Sequence, residues 1–135
     1  MNLHKYLVVS STSFCLPGLF YLYSHDIIHK IIGISILITA LTSINFWYDG
    51  IQNTYKHKLD SLWIRFELLL LNTITLFNNS KQHKITVIFC LVLLLGICLL
   101  YSDYFSSIQW CSPMHVYTHL MTHIVFITML IAYYI

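Results

Sequence analysis

Long apolar runs alternate with short polar links along the chain, and that alternation constrains the fold more than any other feature. The runs cover about residues 6–23, 27–48, 59–78, 85–101 and 114–135, each near the roughly 20 residues an α-helix needs to cross a bilayer core. In hydrocarbon a backbone must satisfy its polar groups internally, so such runs fold as helices. Only 9% of the 135 residues are charged and the mean hydropathy is +0.73, whereas a soluble domain carries about a quarter charged residues. The expectation is one all-α domain over residues 1–135, an integral, multi-pass membrane bundle of about five transmembrane helices. A formal charge of +2, with no basic run longer than Lys56-His57-Lys58, argues against a nucleic-acid partner.

The first run ends without a small-residue cleavage pattern and reads as a retained helix, with Pro17-Gly18 as its expected kink. His25 and His29 fall beside Asp26 in what reads as a solvated turn. The fourth run is almost wholly aliphatic and reads as scaffold, followed by a loop from Ser102 to Pro113. Cys15, Cys90, Cys98 and Cys111 show no CxxC spacing and read as small apolar packing residues. Lysines divide evenly between the two expected membrane sides, Lys5, Lys56 and Lys58 against Lys30, Lys81 and Lys84, so the positive-inside rule favours neither orientation.

Against this background a few polar residues stand out. The last run opens with His115, His119 and His123 at four-residue spacing, which places them as a stripe on one helix face. Ionisable groups inside a membrane helix are costly and turn toward the bundle interior, a cavity or a ligand, so the stripe is a candidate site. The third run carries Asp60 at its start, with His57 one turn before and Glu67 two turns after on the same face, while Arg65 points elsewhere. Alternating spans put the end of the second run, the start of the third and the start of the fifth on one membrane side. At 1.5 Å per residue, Ser43 lies ~8 Å before its helix end, and His119 and His123 lie ~7 and ~13 Å into theirs, in one depth band.

Neutral imidazoles at i and i+4 can bind one zinc ion, with a carboxylate from another helix as a further ligand or as the holder of a bound water. His115 and His123 lie ~12 Å apart along the axis, so one ion cannot take all three histidines. His119 with His123 is the preferred pair, and His115 falls nearer the interface. Interhelical hydrogen bonds are the plain alternative for each histidine.

These residues resemble the CREST superfamily of membrane hydrolases, which includes the alkaline ceramidases and the progestin and adipoQ receptors. That family places Ser-x-x-x-His near the end of its second helix, an Asp at the start of the third and His-x-x-x-His in the last. The matching positions are Ser43 with Trp47, then Asp60, then His119 and His123. The chain departs from the pattern twice. Trp47, which cannot ligate a metal, stands where the family has its first histidine, and five spans stand against seven. His57, one turn before Asp60, is the substitute considered for the missing ligand.

The resemblance implies a zinc-activated water attacking an amide or ester carbonyl of a membrane lipid. His119, His123 and His57 would be metal ligands, Asp60 would orient or deprotonate the water, and Ser43 would donate to the developing oxyanion. A non-catalytic membrane protein, receptor-like or an assembly factor, with its histidines in structural hydrogen bonds, is the competing reading. Haem between His57 and His119 is a third. A bundle this small could also gain closure as a homo-oligomer.

Overall fold

A computed structural model describes residues 3–77 and 82–134, and among them there is no strand. The helices are α1 (His4–Thr12), α2 (Cys15–Leu22), α3 (Ile27–Asp49), α4 (Tyr55–Phe77), α5 (Gln82–Ile108) and α6 (Pro113–Tyr134). Three stretches are long and apolar enough to cross a membrane: Ile27–Asp49, Ile85–Ile108 and Pro113–Tyr134. The expected five spans are therefore matched by three on length and composition. The helix α4 has the length, but its sequence includes Lys56, Lys58, Asp60, Arg65 and Glu67, and the first run is divided into two short helices.

That division falls at Ser13–Phe14, earlier than the expected Pro17-Gly18. Proline has no N–H, and its ring crowds the carbonyl four residues before it, here that of Ser13. The joint is wound tightly by i to i+3 bonds, Ser13 N to Ser10 O at 3.2 Å, Phe14 N to Ser11 O at 3.2 Å and Leu16 N to Ser13 O at 3.3 Å, the pattern of a 3₁₀ turn. The hydroxyls of α1 bond back to its own carbonyls, Ser11 Oγ to Leu7 O at 2.7 Å and Thr12 Oγ1 to Val9 O at 2.6 Å. Such bonds satisfy the hydroxyls in apolar surroundings, and back-bonding of this kind also favours a bend.

The α1–α2 rod lies between α3 and α6. Both α1 and α2 pack on α3 and on α6, α4 packs on the other side of α3, and α5 packs along α6. The resulting order, α4, α3, α1–α2, α6, α5, is an arc around one interior. Its main core joins Phe14, Tyr21, Ile32, Ile36, Phe126 and Leu130, and the Tyr21 hydroxyl donates to Leu130 O at 2.7 Å. Leu7, Phe46, Trp47 and Val116 form a second cluster. Phe89, Leu93, Leu94, Ile97 and Leu100 are exposed along α5, as suits a face turned to lipid.

Local chemistry fixes the helix ends. Asp26 caps α3 by accepting from Ile28 N at 2.9 Å, a defined role for a residue read as part of a solvated turn. At the other end Gly50 takes φ +60°, a left-handed stop that glycine adopts without strain. The helix α5 runs to Ile108, past the expected end of its run at residue 101. The hydroxyls of Ser106 and Ser107 bond back to Asp103 O at 2.8 Å and Tyr104 O at 2.7 Å, so the polar residues after Tyr101 continue the helix. Those turns correct the reading of Ser102 to Pro113 as a loop, since its first part is helical.

The helices come close at Gly33 of α3, where an added Cβ would lie 2.8 Å from Gly18 O and 2.9 Å from Leu22 N, both backbone atoms of α2. Neither can move aside as a flexible side chain could. Gly96, by contrast, has nothing within 4 Å of such a Cβ. Gly33→Ala is expected to lower the melting temperature of detergent-purified protein through an overpacking cost of about 1–3 kcal/mol. Gly96→Ala should leave it unchanged or raise it, because alanine favours a helix by about 0.5–1 kcal/mol. Parallel thermal melts of the two variants check this.

Candidate functional site

The arc encloses a cavity of about 240 Å³. Ser43, His57, Asp60, His119 and His123 all line it, together with His115. Residues from α3, α4 and α6 that parity places at one depth thus face a single space. The helix α5 adds Ser102, Asp103 and Ser106, and the two adjacent loops add Gln52 and Trp110. The α5 residues escaped sequence reading because the drop in hydropathy after Tyr101 suggested a loop. Leu95, Leu99, Ser102 and Ser106 nevertheless recur at helical spacing, a signal that was available.

Hydrogen bonds from neighbouring helices determine what each imidazole can do. The Nδ1 of His123 lies 2.8 Å from Ser10 Oγ, and that hydroxyl also meets Leu7 O at 3.0 Å. A hydroxyl has one proton to give. Leu7 O also accepts from Ser11 Oγ at 2.7 Å, so the Ser10 proton has two possible acceptors; when it goes to the carbonyl, His123 carries its proton on Nδ1 and keeps a lone pair on Nε2. This is the arrangement of a metal-ligating histidine, whose other ring nitrogen is held by an outer partner. His119 Nδ1 pairs with Ser102 Oγ at 3.0 Å, and the His119 and His123 ring centroids are 5.1 Å apart.

The other two cavity histidines have a fixed tautomer. Cys111 N donates to His115 Nδ1 at 3.0 Å and Asn53 N donates to His57 Nδ1 at 3.2 Å. Each neutral ring therefore carries its proton on Nε2 and is a donor there. This argues against His57 as the third ligand and gives it and His115 a part in holding the loops. Burial pushes the His57 pKa below its ordinary 6.5, partly opposed by the Asp103 carboxylate. Cys111 stands at φ +55° in the turn before α6, and burial raises the pKa of its thiol, so it is not poised as a thiolate. Trp110 Nε1 donates to Gly50 O at 2.6 Å and ties the two loops together at the rim.

On the facing side, Asp60 lies 3.4 Å from Thr42 Oγ1, whose one proton is shared with the nearer Thr39 O at 3.0 Å, and has Ser43 as a second hydroxyl partner. Ser43 thus serves the carboxyl group in this arrangement. Trp47 is 1% exposed. Its ring meets His119 edge-on at 4.8 Å and stacks on Trp110 at 5.7 Å, so an aromatic wall stands at the position of the family's first histidine. Among the described residues no three His, Cys, Asp or Glu side chains are drawn together as a preformed cation site. Glu67 is fully buried but lies outside the cavity lining, Arg65 is exposed, and Asn72 Nδ2 bonds back to Leu68 O at 2.7 Å.

The lowered pKa of His57 has a definite sign in stability. Below the unfolded value of 6.5 the unfolded chain takes up a proton that the folded ring resists, so stability falls as pH falls and levels off above that value. Detergent melts between about pH 7 and about pH 5 are expected to show a declining melting temperature, and His57→Gln should flatten part of the decline. Comparison of the chain with protein-family models, with curated proteins and with solved structures finds no match.

Proposed function

We propose that the chain is a metal-dependent membrane hydrolase acting on a lipid amide or ester, with all five rods of the arc embedded in the bilayer. The observation that carries the reading is the placement of His123. Its bond to Ser10 leaves Nε2 free beside His119, in a cavity that also holds Asp60 and Ser43. His119 and His123 would hold a zinc ion, which supplies Lewis acidity and a water of lowered pKa. Asp60 lies across the cavity as the base or a further ligand, oriented by the Ser43 and Thr42 hydroxyls. Trp47 and Phe46 close one wall and exclude water, which strengthens the electrostatic interactions inside.

A second reading is favoured by one observation. Every cavity histidine already has a partner within the chain, His57 with Asn53, His115 with Cys111, His119 with Ser102 and His123 with Ser10. A non-catalytic membrane protein, receptor-like or an assembly factor, would use the same bonds to fix helix register.

Elemental analysis separates the two. Protein purified in detergent without chelator is expected to hold stoichiometric zinc, and His119→Ala with His123→Ala is expected to lose it. Asp60→Asn should keep the metal and lose about 10²–10⁴-fold in hydrolysis of amide- or ester-linked lipids, the usual share of a general base. Folded wild-type protein without bound metal would overturn the hydrolase in favour of the second reading.

A further inference from the structure

A buried polar group lies beyond the cavity on the seam between α3 and α4. Glu67 is 0% exposed; its Oε2 bonds to Thr39 Oγ1, and its Oε1 has no hydrogen-bond partner. Thr39 lines the cavity, so one hydroxyl stands between that space and the carboxyl group. The same hydroxyl lies 3.2 Å from Ser35 O, which also accepts from Trp63 Nε1 at 3.2 Å. One turn along α3, the buried Ser35 Oγ has no partner.

The protons on these atoms can be counted. Thr39 has one to give and two acceptors beside it. With Glu67 ionised, that proton goes to Oε2, and an anion with one bare oxygen remains in apolar surroundings, a costly arrangement for a carboxyl group. With a proton on Oε2, the acid donates to Thr39 Oγ1 and Thr39 donates onward to Ser35 O. Each bond then has one donor and one acceptor, and only a neutral carbonyl oxygen is left without a partner. No described Lys or Arg forms an ion pair with Glu67. Tyr21 of α2 is a titratable side chain within its electrostatic range, but the Tyr21 proton is given to Leu130 O. Asp60 is ~10 Å away along α4.

We propose that Glu67 is a proton-storing carboxylic acid that exchanges its proton with the cavity through the Thr39 hydroxyl. In the outward step the Oε2–H bond breaks as a new O–H bond forms at Thr39 Oγ1. The original Thr39 proton, turned from Ser35 O toward the cavity that Thr39 lines, passes to a water or carboxylate oxygen there, leaving the Glu67 carboxylate, and the reverse step restores the acid. The storage site stands on the hydrogen-bond pattern alone. Its use in supplying a proton to a leaving amine or alkoxide rests on the hydrolase reading.

Glu67 is the sole glutamate in the chain, so ¹³C labelling of glutamate side-chain carboxyls assigns its infrared band without a variant. In lipid-reconstituted protein near neutral pH we expect the carbonyl stretch of a protonated carboxyl, displaced by the label and shifting promptly on transfer to D₂O. Thr39→Val should keep the band and slow that shift by about tenfold or more, the worth of one hydrogen-bonded step. Thr39→Ser, which keeps the hydroxyl, should restore the rate. A labelled band at carboxylate frequency overturns the proposal, as does equal exchange in wild type and Thr39→Val, or exchange in Thr39→Ser as slow as in the valine variant. The measurement needs neither substrate nor metal, so its failure is distinct from failure of the hydrolase.

Discussion

The approach of Gly33 to the backbone of α2 is the contact on which the other arrangements depend. With Gly18 O and Leu22 N where a Cβ would have to go, α2 is pressed against α3, and α1 is carried in beside it. The α1–α2 rod can then touch α3 on one side and α6 on the other. Without it the arc would have no centre. The serines of α1 would also have no access to α6, and the bond between Ser10 and His123 would not form.

Partner groups for the imidazoles come from elements other than the one that bears them, or from the turns at their own ends. Ser10 of α1 serves His123 and Ser102 of α5 serves His119. Backbone amides of two turns serve His57 and His115. Inside an apolar bundle water is scarce, so each ring nitrogen is paired by the chain or left at a cost. The pairing separates four histidines of one sequence type into two kinds. Two have an Nε2 that carries a proton. His123 and His119, each held by a serine hydroxyl, can leave Nε2 bare.

Much of this was legible in the sequence. The apolar runs and the four-residue spacing of His115, His119 and His123 put α6 and its polar face in view, and parity put Ser43 and Asp60 at the same depth. What periodicity could not show was the second partner of each group. Nothing near His123 in sequence points to Ser10, and nothing near His57 shows that its Nδ1 accepts the Asn53 amide. The α5 residues Ser102 and Asp103 were lost to a hydropathy threshold, since their helix continues through polar residues by bonding hydroxyls to its own carbonyls. The break in the first run was misplaced for a related reason, because proline disturbs the turn before it more than its own position.

The bond between Ser10 and His123 joins residues 113 apart in sequence, the first helix to the last. Chains emerge from synthesis at about 5–20 residues per second, so Ser10 waits on the order of ten seconds for its partner. Throughout that interval the cavity lacks α6, and nothing fixes the proton of His123. Completion of the site therefore waits for α6, and a chain truncated anywhere before that helix has the remaining walls of the cavity without its chemistry.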